Sequence, residues 1–311
     1  MLREISLRFG HVPPPLGAVF ESSALFRLLE QAPQLRSLDI DEFGALLTLP
    51  FSQLLTIRST FWSLGQLSQC FVMCRSLQKA DIFIEDFDVS GFRSRQIYHA
   101  GLRALKCTFK RGQNVADVLS TLMLPAINEL ELSITLLGTI RSSPASALKN
   151  MLLESGCRLE KLKLGADFYT SDQELIDILT ITPTLTHFEL ETFDCTVDLF
   201  HGLTFRDNVS TILPCLTSLS LRILWLYSTH SRSLSPVPEP EAILSMVQSR
   251  RSTDEMAGKA KLTYFGFSAR VALAQVANRG WTNLFYSITM PGLRVLEKNG
   301  LKLKMQVTVN A

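Results

Sequence analysis

Five histidines, a pair of cysteines four residues apart and one arginine at the end of a strand-like run are the groups of this chain with the widest chemical repertoire. His11, His99, His187, His201 and His230 are scattered, and none has a carboxylate or second histidine at metal-ligand spacing. The motifs H-E-x-x-H and G-x-S-x-G and the glycine loop that cradles phosphate are absent. In Leu185-Thr186-His187-Phe188-Glu189, His187 shares a strand face with Glu189 and Glu191, the setting of a general base; the plainer reading is a surface polar residue. Cys70 and Cys74 share a helix face, which permits a redox or metal pair, yet no second pair stands at ligand spacing. Core thiols fit better, with Cys107 at an inward strand position and Cys157 and Cys215 just before a leucine. Arg222, after Leu219–Leu221, is the candidate for an arginine inserted into a nucleotide hydrolase, although no acid, nucleophile or phosphate loop accompanies it. These residues predict no catalytic site, no cofactor and no metal centre.

Recognition is better represented than catalysis. Written in the register L-x-x-L-x-L, the chain repeats itself about eleven times, at spacings mostly of about 19 to 33 residues, which brackets the leucine-rich-repeat period. The copies begin at Leu2, Leu35, Leu54, Leu77, Leu102, Ile127, Leu159, Leu185, Leu216, Leu262 and Leu293. Side chains alternate between the faces of a strand, so the later two leucine-type residues point inward and the residue between them points out. Those outward residues run Ser6, Asp39, Arg58, Asp81, Lys106, Glu131, Lys163, Glu189, Ser220, Gly266 and Glu297, and from Asp39 to Glu189 the sign of charge alternates at every step. With strands about 4.8 Å apart, each charge would sit between two opposite ones. The array then reads either as a self-neutralising ladder that holds strand register or as a docking face for a charged protein. The residues predicted to touch such a partner are Asp39, Arg58, Asp81, Lys106, Glu131, Lys163 and Glu189, with His187 and the outward Tyr264 beside them. Phe83, at a strand end, is a second possible aromatic anchor, whereas Trp62, Trp225 and Trp281 are expected to pack between repeats.

No single copy buries its apolar face alone, so the copies must stack. The expected fold is α/β: a leucine-rich-repeat solenoid, or horseshoe, with a parallel concave sheet of about eleven strands and convex helices. Helical connectors are predicted at Ala24–Glu30, Ala116–Met123, Ala145–Glu154 and Glu241–Arg250, and after the S-x-x-E capping box of Ser171 and Glu174, where Pro183 stops the helix. Residues 1–311 read as a single repeat domain with one longer irregular connector at 228–261, rich in proline and serine.

Charge and hydropathy exclude several functions. A net charge of +2, with charged residues at 19% and no block of one sign, implies neither nucleic acid nor an anionic membrane as partner. The longest apolar segment, Ile212–Tyr227, is interrupted by Pro214 and Arg222 and is shorter than the roughly 20 residues a membrane helix requires. With no early stretch resembling a signal peptide, an intracellular protein is expected, cytoplasmic or nuclear.

Four phrases carry a family resemblance: Leu49-Pro50-Phe51-Ser52-Gln53-Leu54, the run from Leu179-Thr180-Ile181-Thr182-Pro183 to Leu190, Ile243-Leu244-Ser245-Met246-Val247-Gln248-Ser249-Arg250-Arg251, and Gly300-Leu301-Lys302-Leu303. In these the chain resembles the fungal F-box proteins with degenerate leucine-rich repeats, over nearly its whole length. The resemblance implies a non-enzymatic substrate receptor of a cullin-RING ubiquitin ligase, with the repeats holding a protein substrate. Members usually begin with an F-box, a helical module that docks on the ligase adaptor; here the first repeat starts at Leu2 and no such module precedes it, so adaptor binding is expected only if an F-box lies upstream. A free-standing repeat scaffold and a truncated, non-functional paralogue remain as alternatives.

Overall fold

A computed structural model describes residues 3–7, 32–42, 50–85, 96–112, 115–136, 143–168, 171–192, 196–205, 212–224, 239–252, 259–272 and 282–310. The predicted helix at 24–30, Trp225, Trp281, His11, His230 and half of the connector 228–261, its residues 228–238 and 253–258, lie outside these residues.

The local unit is a turn followed by a strand. At Leu35, Leu77, Ile127, Leu185 and Leu216, the first leucine of a copy closes a four-residue turn by donating its N–H to the carbonyl three residues back, on Ala32, Cys74, Leu124, Thr182 and Leu213, at 2.9–3.2 Å. Proline stands second in four of these turns, at Pro33, Pro125, Pro183 and Pro214, where its fixed φ suits the turn. The next two residues then join neighbouring copies. Both of their N–H groups donate to one carbonyl of the preceding copy: Leu55 and Thr56 to Arg36, Gln78 and Lys79 to Leu55, Thr217 and Ser218 to Thr186, all at 2.8–3.0 Å. Thr186, Thr217 and Thr263 add their hydroxyls to the carbonyls that their own N–H groups use, on Glu160, Thr186 and Thr217, at 3.0–3.1 Å.

The strands that follow form an α/β architecture in two compact units, one of residues Met1–Ser142 with Asn150–Cys157, the other of Ser143–Lys149 with Arg158–Ala311. The first unit holds β1 (Glu4–Leu7), β2 (Ser37–Glu42), β3 (Thr56–Phe61), β4 (Lys79–Ile84), β5 (Ile97–Tyr98), β6 (Ala104–Arg111), β7 (Leu122–Met123) and β8 (Glu129–Leu136). There the order β1-β2-β3-β4-β6-β8 is parallel at every step, and β5 pairs with β7 apart from it. In the second unit β9 (Lys161–Leu164), β10 (His187–Thr192), β11 (Ser218–Leu224), β12 (Tyr264–Ala272) and β13 (Lys302–Asn310) are likewise parallel and in chain order. Inward residues stack in register, Ile82 on Cys107 on Leu132, and Leu164 on Leu190, Leu221 and Phe267, each 2% exposed or less. Burial of each leucine contributes about 1.5–3 kcal/mol. Ser59 breaks the pattern at the place of Ile82; buried, it donates its hydroxyl to the Thr60 carbonyl.

Between the strands run α1 (Leu64–Met73), α2 (Val115–Thr121), α3 (Pro144–Ser155), α4 (Asp172–Thr180), α5 (Val197–Leu203), α6 (Pro240–Arg251) and α7 (Met290–Lys298). The predicted helices at 145–154 and 241–250 match α3 and α6 to within one residue. That at 116–123 stops earlier, because Leu122 and Met123 pair with Ile97 and Tyr98 instead. The N-cap half of the predicted capping box is formed in α4: Ser171 Oγ accepts from Glu174 N–H at 3.2 Å, while the Glu174 carboxylate accepts from Ser143 Oγ at 2.7 Å. Ser171→Ala is therefore expected to lower stability by about 1 kcal/mol, read as a lower urea midpoint with unchanged slope.

The last repeat corrects the sequence reading. Leu293 and Glu297 lie in α7, not on a strand, and the position in register with Gly266 belongs to Lys304. The cause is Gly300, which stands where other copies have their first leucine and has φ 89°. It terminates α7 with paired bonds, Gly300 N–H to Glu297 O and Leu301 N–H to Leu296 O, a left-handed cap that favours glycine. A leucine template therefore slips back onto the helix.

Candidate functional site

In the first unit Asp39, Arg58, Asp81, Lys106 and Glu131 occupy one register row. Arg58 Nε lies 3.5 Å from Asp81 Oδ2 and Lys106 Nζ 3.3 Å from Glu131 Oε1, while Ser6 Oγ donates to Asp39 at 3.4 Å. One row further along, Thr60, half-buried Phe83, Thr108 and Ser133 stand side by side, and Ser133 Oγ donates to Thr108 Oγ1 at 3.1 Å. Trp62 does not pack between repeats as predicted. It is 46% exposed, and its N–H is held by Gln66 Oε1 at 2.7 Å. It shares the parity of Arg58 and Thr60, a signal that places it with the charged face.

In the second unit three rows lie side by side. Lys161, His187, Ser218, Tyr264 and Lys302 form the first, Lys163, Glu189, Ser220, Gly266 and Lys304 the second, and Glu191, Arg222, Ser268 and Gln306 the third. Ion pairs tie Lys163 Nζ to Glu189 Oε1 at 3.4 Å and Arg222 Nη1 to Glu191 Oε2 at 3.2 Å. Exposed His187 stands with Nδ1 2.8 Å from Thr186 Oγ1. Since that hydroxyl spends its proton on the Glu160 carbonyl, Nδ1 is the donor. Tyr264 lies along the sheet: a methyl group on Gly266 would meet its hydroxyl oxygen at 2.9 Å and Ser220 Oγ at 3.0 Å. Beyond Glu189 the alternation of charge thus gives way to a floor of small residues crossed by one phenol ring and bordered by Lys302, Lys304 and Arg222.

In each unit the outward rows carry exposed ion pairs. Each exposed ion pair contributes about 0–1 kcal/mol and is screened by salt. Among the described residues no three of His, Cys, Asp or Glu gather as a metal would require, and no helix is long and apolar enough to cross a membrane. The sequence matches no family model and no curated protein.

Of the remaining reactive groups, Cys70, Cys74, Cys107 and His99 are buried. Cys70 and Cys74 lie in the core with sulfurs 4.0 Å apart. The hydrogen bond to Cys74, then burial, raise the Cys70 pKa well above the ordinary thiol value, and burial followed by the Asp81 charge does the same for Cys107. These thiols remain protonated and unreactive. Cys157 and Cys215 are only half-buried. His99, buried against Phe71, accepts Gly101 N–H at Nδ1 (3.3 Å), so Nε2 donates to the Cys74 carbonyl at 3.0 Å.

The sequence reading missed Arg250. It is 1% exposed, and its fork donates to three carbonyls, Nε to Leu203 (2.6 Å), Nη2 to Ile212 (2.8 Å) and Nη1 to Leu213 (3.1 Å). Its guanidinium carbon lies 4.2 Å from the centre of the Phe205 ring. Burial lowers its pKa to about 10, so it remains a cation at neutral pH. The signal was present: Ile243, Met246, Val247 and Arg250 follow one helical stripe, and the fourth member is the arginine.

Proposed function

We propose that this chain is a leucine-rich-repeat protein whose charged sheet face binds another protein. The observation that carries the reading is the register of opposite charges: Asp39, Arg58, Asp81, Lys106 and Glu131 in one unit, Lys163 beside Glu189 and Glu191 beside Arg222 in the other. The repeated turn, the shared carbonyl at the junctions from β1 to β8 and from β9 to β12, and the parallel strand order support the solenoid assignment. The resemblance to F-box proteins with such repeats extends the proposal to a substrate receptor of a cullin-RING ubiquitin ligase, in which the face holds the substrate and an F-box, where one precedes the repeats, binds the adaptor.

One observation favours a second reading. The charges already bridge one another, as a ladder serving strand register alone would require. A charge swap separates the two. Lys163→Glu alone should reduce partner recovery, measured by quantitative mass spectrometry of the complexes purified from the host, at least tenfold. The double variant Lys163→Glu with Glu189→Lys restores the ion pair in reverse. On the docking reading it recovers thermal stability but not the partner; recovery of both would establish the ladder as purely structural. Adaptor and cullin among the proteins retained by the wild-type chain would support the ligase role, and their absence would leave a free-standing scaffold.

A further inference from the structure

The outer edge of the second unit is unfinished in both layers. β13 pairs with β12, and among the described residues nothing pairs with its other side. Its inward side chains Leu303, Met305 and Val307 are half-exposed, although their register partners Phe265, Phe267 and Ala269 are 2% exposed or less. Lys302 N–H donates to Thr263 O, and alternate residues of a parallel strand direct both main-chain groups to the same side. The N–H and C=O groups of Leu303, Met305 and Val307 therefore point outward, over the length of a nine-residue strand. The helical layer repeats the pattern. α7 is pressed against α6, where a methyl group on Gly292 would meet Leu244 Cδ2 at 2.6 Å, while Leu284, Ile288 and Val295 on the same helical segment are 40–56% exposed. Between α7 and β13 opens a depression of about 370 Å³ lined by Met290, Arg294, Glu297, Lys298, Leu303 and Met305.

Charge identifies what fits this edge. In the first unit Arg58 bridges Asp81 and Lys106 bridges Glu131, and in the second Lys163 bridges Glu189 and Arg222 bridges Glu191, always between adjacent strands. At the outermost strand Lys302 and Lys304 face neutral Tyr264 and Gly266, and among the described residues neither meets a carboxylate. Arg294 and Lys298 add two more cations at the rim of the depression against the single acid Glu297.

We propose that the free edge of β13 is a strand-addition site for an extended acidic segment of another protein. The segment alternates apolar with acidic residues: its main chain pairs with Leu303, Met305 and Val307, its apolar side chains enter the depression beside α7, and its carboxylates continue the alternation of charge against Lys302 and Lys304. This surface is the rim of the sheet and shares only Lys302 and Lys304 with the outward rows; because pairing is to the main chain of β13, Val307→Pro tests it separately from the function proposed above.

The test uses the 1–311 chain, a short fluorescent peptide alternating leucine with glutamate, and its leucine–lysine counterpart. Anisotropy should show the glutamate peptide binding at least tenfold more tightly, with slowed amide exchange at Leu303, Met305 and Val307. Lys302→Glu with Lys304→Glu, both exposed positions, should reverse the preference. Val307→Pro removes one outward N–H while leaving the bonds to β12, and should abolish binding with amide exchange in β12 unchanged. No binding, equal binding of both peptides, or binding that survives Val307→Pro would overturn the proposal. Protection of the same amides without peptide, accompanied by a dimer in sedimentation, would overturn it in favour of a second copy of the chain.

Discussion

Arg250→Ala is expected to cost about 3 kcal/mol or more, because the carbonyls of Leu203, Ile212 and Leu213 lose their shared donor and are left with unsatisfied acceptors. Leu213 makes the loss larger. It is a buried leucine at φ 54°, a left-handed conformation that costs about 1–2 kcal/mol for a residue with a Cβ. The guanidinium that donates to the Ile212 and Leu213 carbonyls holds that conformation in place, and the Phe205 ring packs on its face. Arg250→Lys should recover little of the loss, since an ammonium presents its donors from one atom and cannot span three carbonyls as a planar fork does. Denaturation followed by circular dichroism checks both variants. Salt distinguishes the effect from that of the surface ladder: raising ionic strength should shrink the cost of Lys163→Glu and leave that of Arg250→Ala nearly unchanged.

Phe285→Ala is expected to cost about 3–5 kcal/mol, the range for deleting a fully buried aromatic ring. Phe285 is 0% exposed and stacks on Phe267, centroids 5.6 Å apart at 24°, and Phe267 lies in turn 6.4 Å from Phe265. These rings join the segment ahead of α7 to the inner face of β12. The segment, Phe285–Thr289, is a wider π-type turn, and the buried Thr289 hydroxyl within it has no hydrogen-bond partner among the described residues. Beyond its main-chain bonds, side-chain packing and not side-chain polar bonding therefore fixes this turn. Phe285→Leu, which keeps most of the volume, should cost under about 1.5 kcal/mol, and the two denaturation midpoints together test the assignment.

Residues that repeat with a fixed spacing made most of the architecture legible. Strand starts, inward leucines and the row from Asp39 to Glu131 could be placed because side-chain direction alternates along a strand and one register satisfies every copy. The same logic failed where chemistry replaced the template residue. Gly300 stands in for a first leucine, so the last strand was read seven residues early and Glu297 was given the place of Lys304. Turn prolines at Pro33, Pro125, Pro183 and Pro214 each stand two residues before a first leucine, but Pro291 has the same spacing to Leu293, which lies in α7, so proline does not separate true repeat starts from the false one. For the site, parity placed Tyr264 and His187 on the outward rows but could not show that Tyr264 lies down over Gly266, because that depends on a side chain being absent two positions along. Arg250 escaped for a related reason. Its burial depends on carbonyls 37 to 47 residues away in sequence, which no local pattern encodes.

The shared carbonyl between neighbouring copies has an evolutionary consequence. Because the junction is made by main-chain groups, the two residues that supply its donors can be almost anything, and here they include Arg36 and Ser37, Gln78 and Lys79, Thr217 and Ser218. Proline alone is barred, having no N–H to give. Selection can therefore redraw the outward surface copy by copy, or exchange one copy for another, without renegotiating how adjacent copies join. Such an array is free to diverge in sequence until little but its spacing remains.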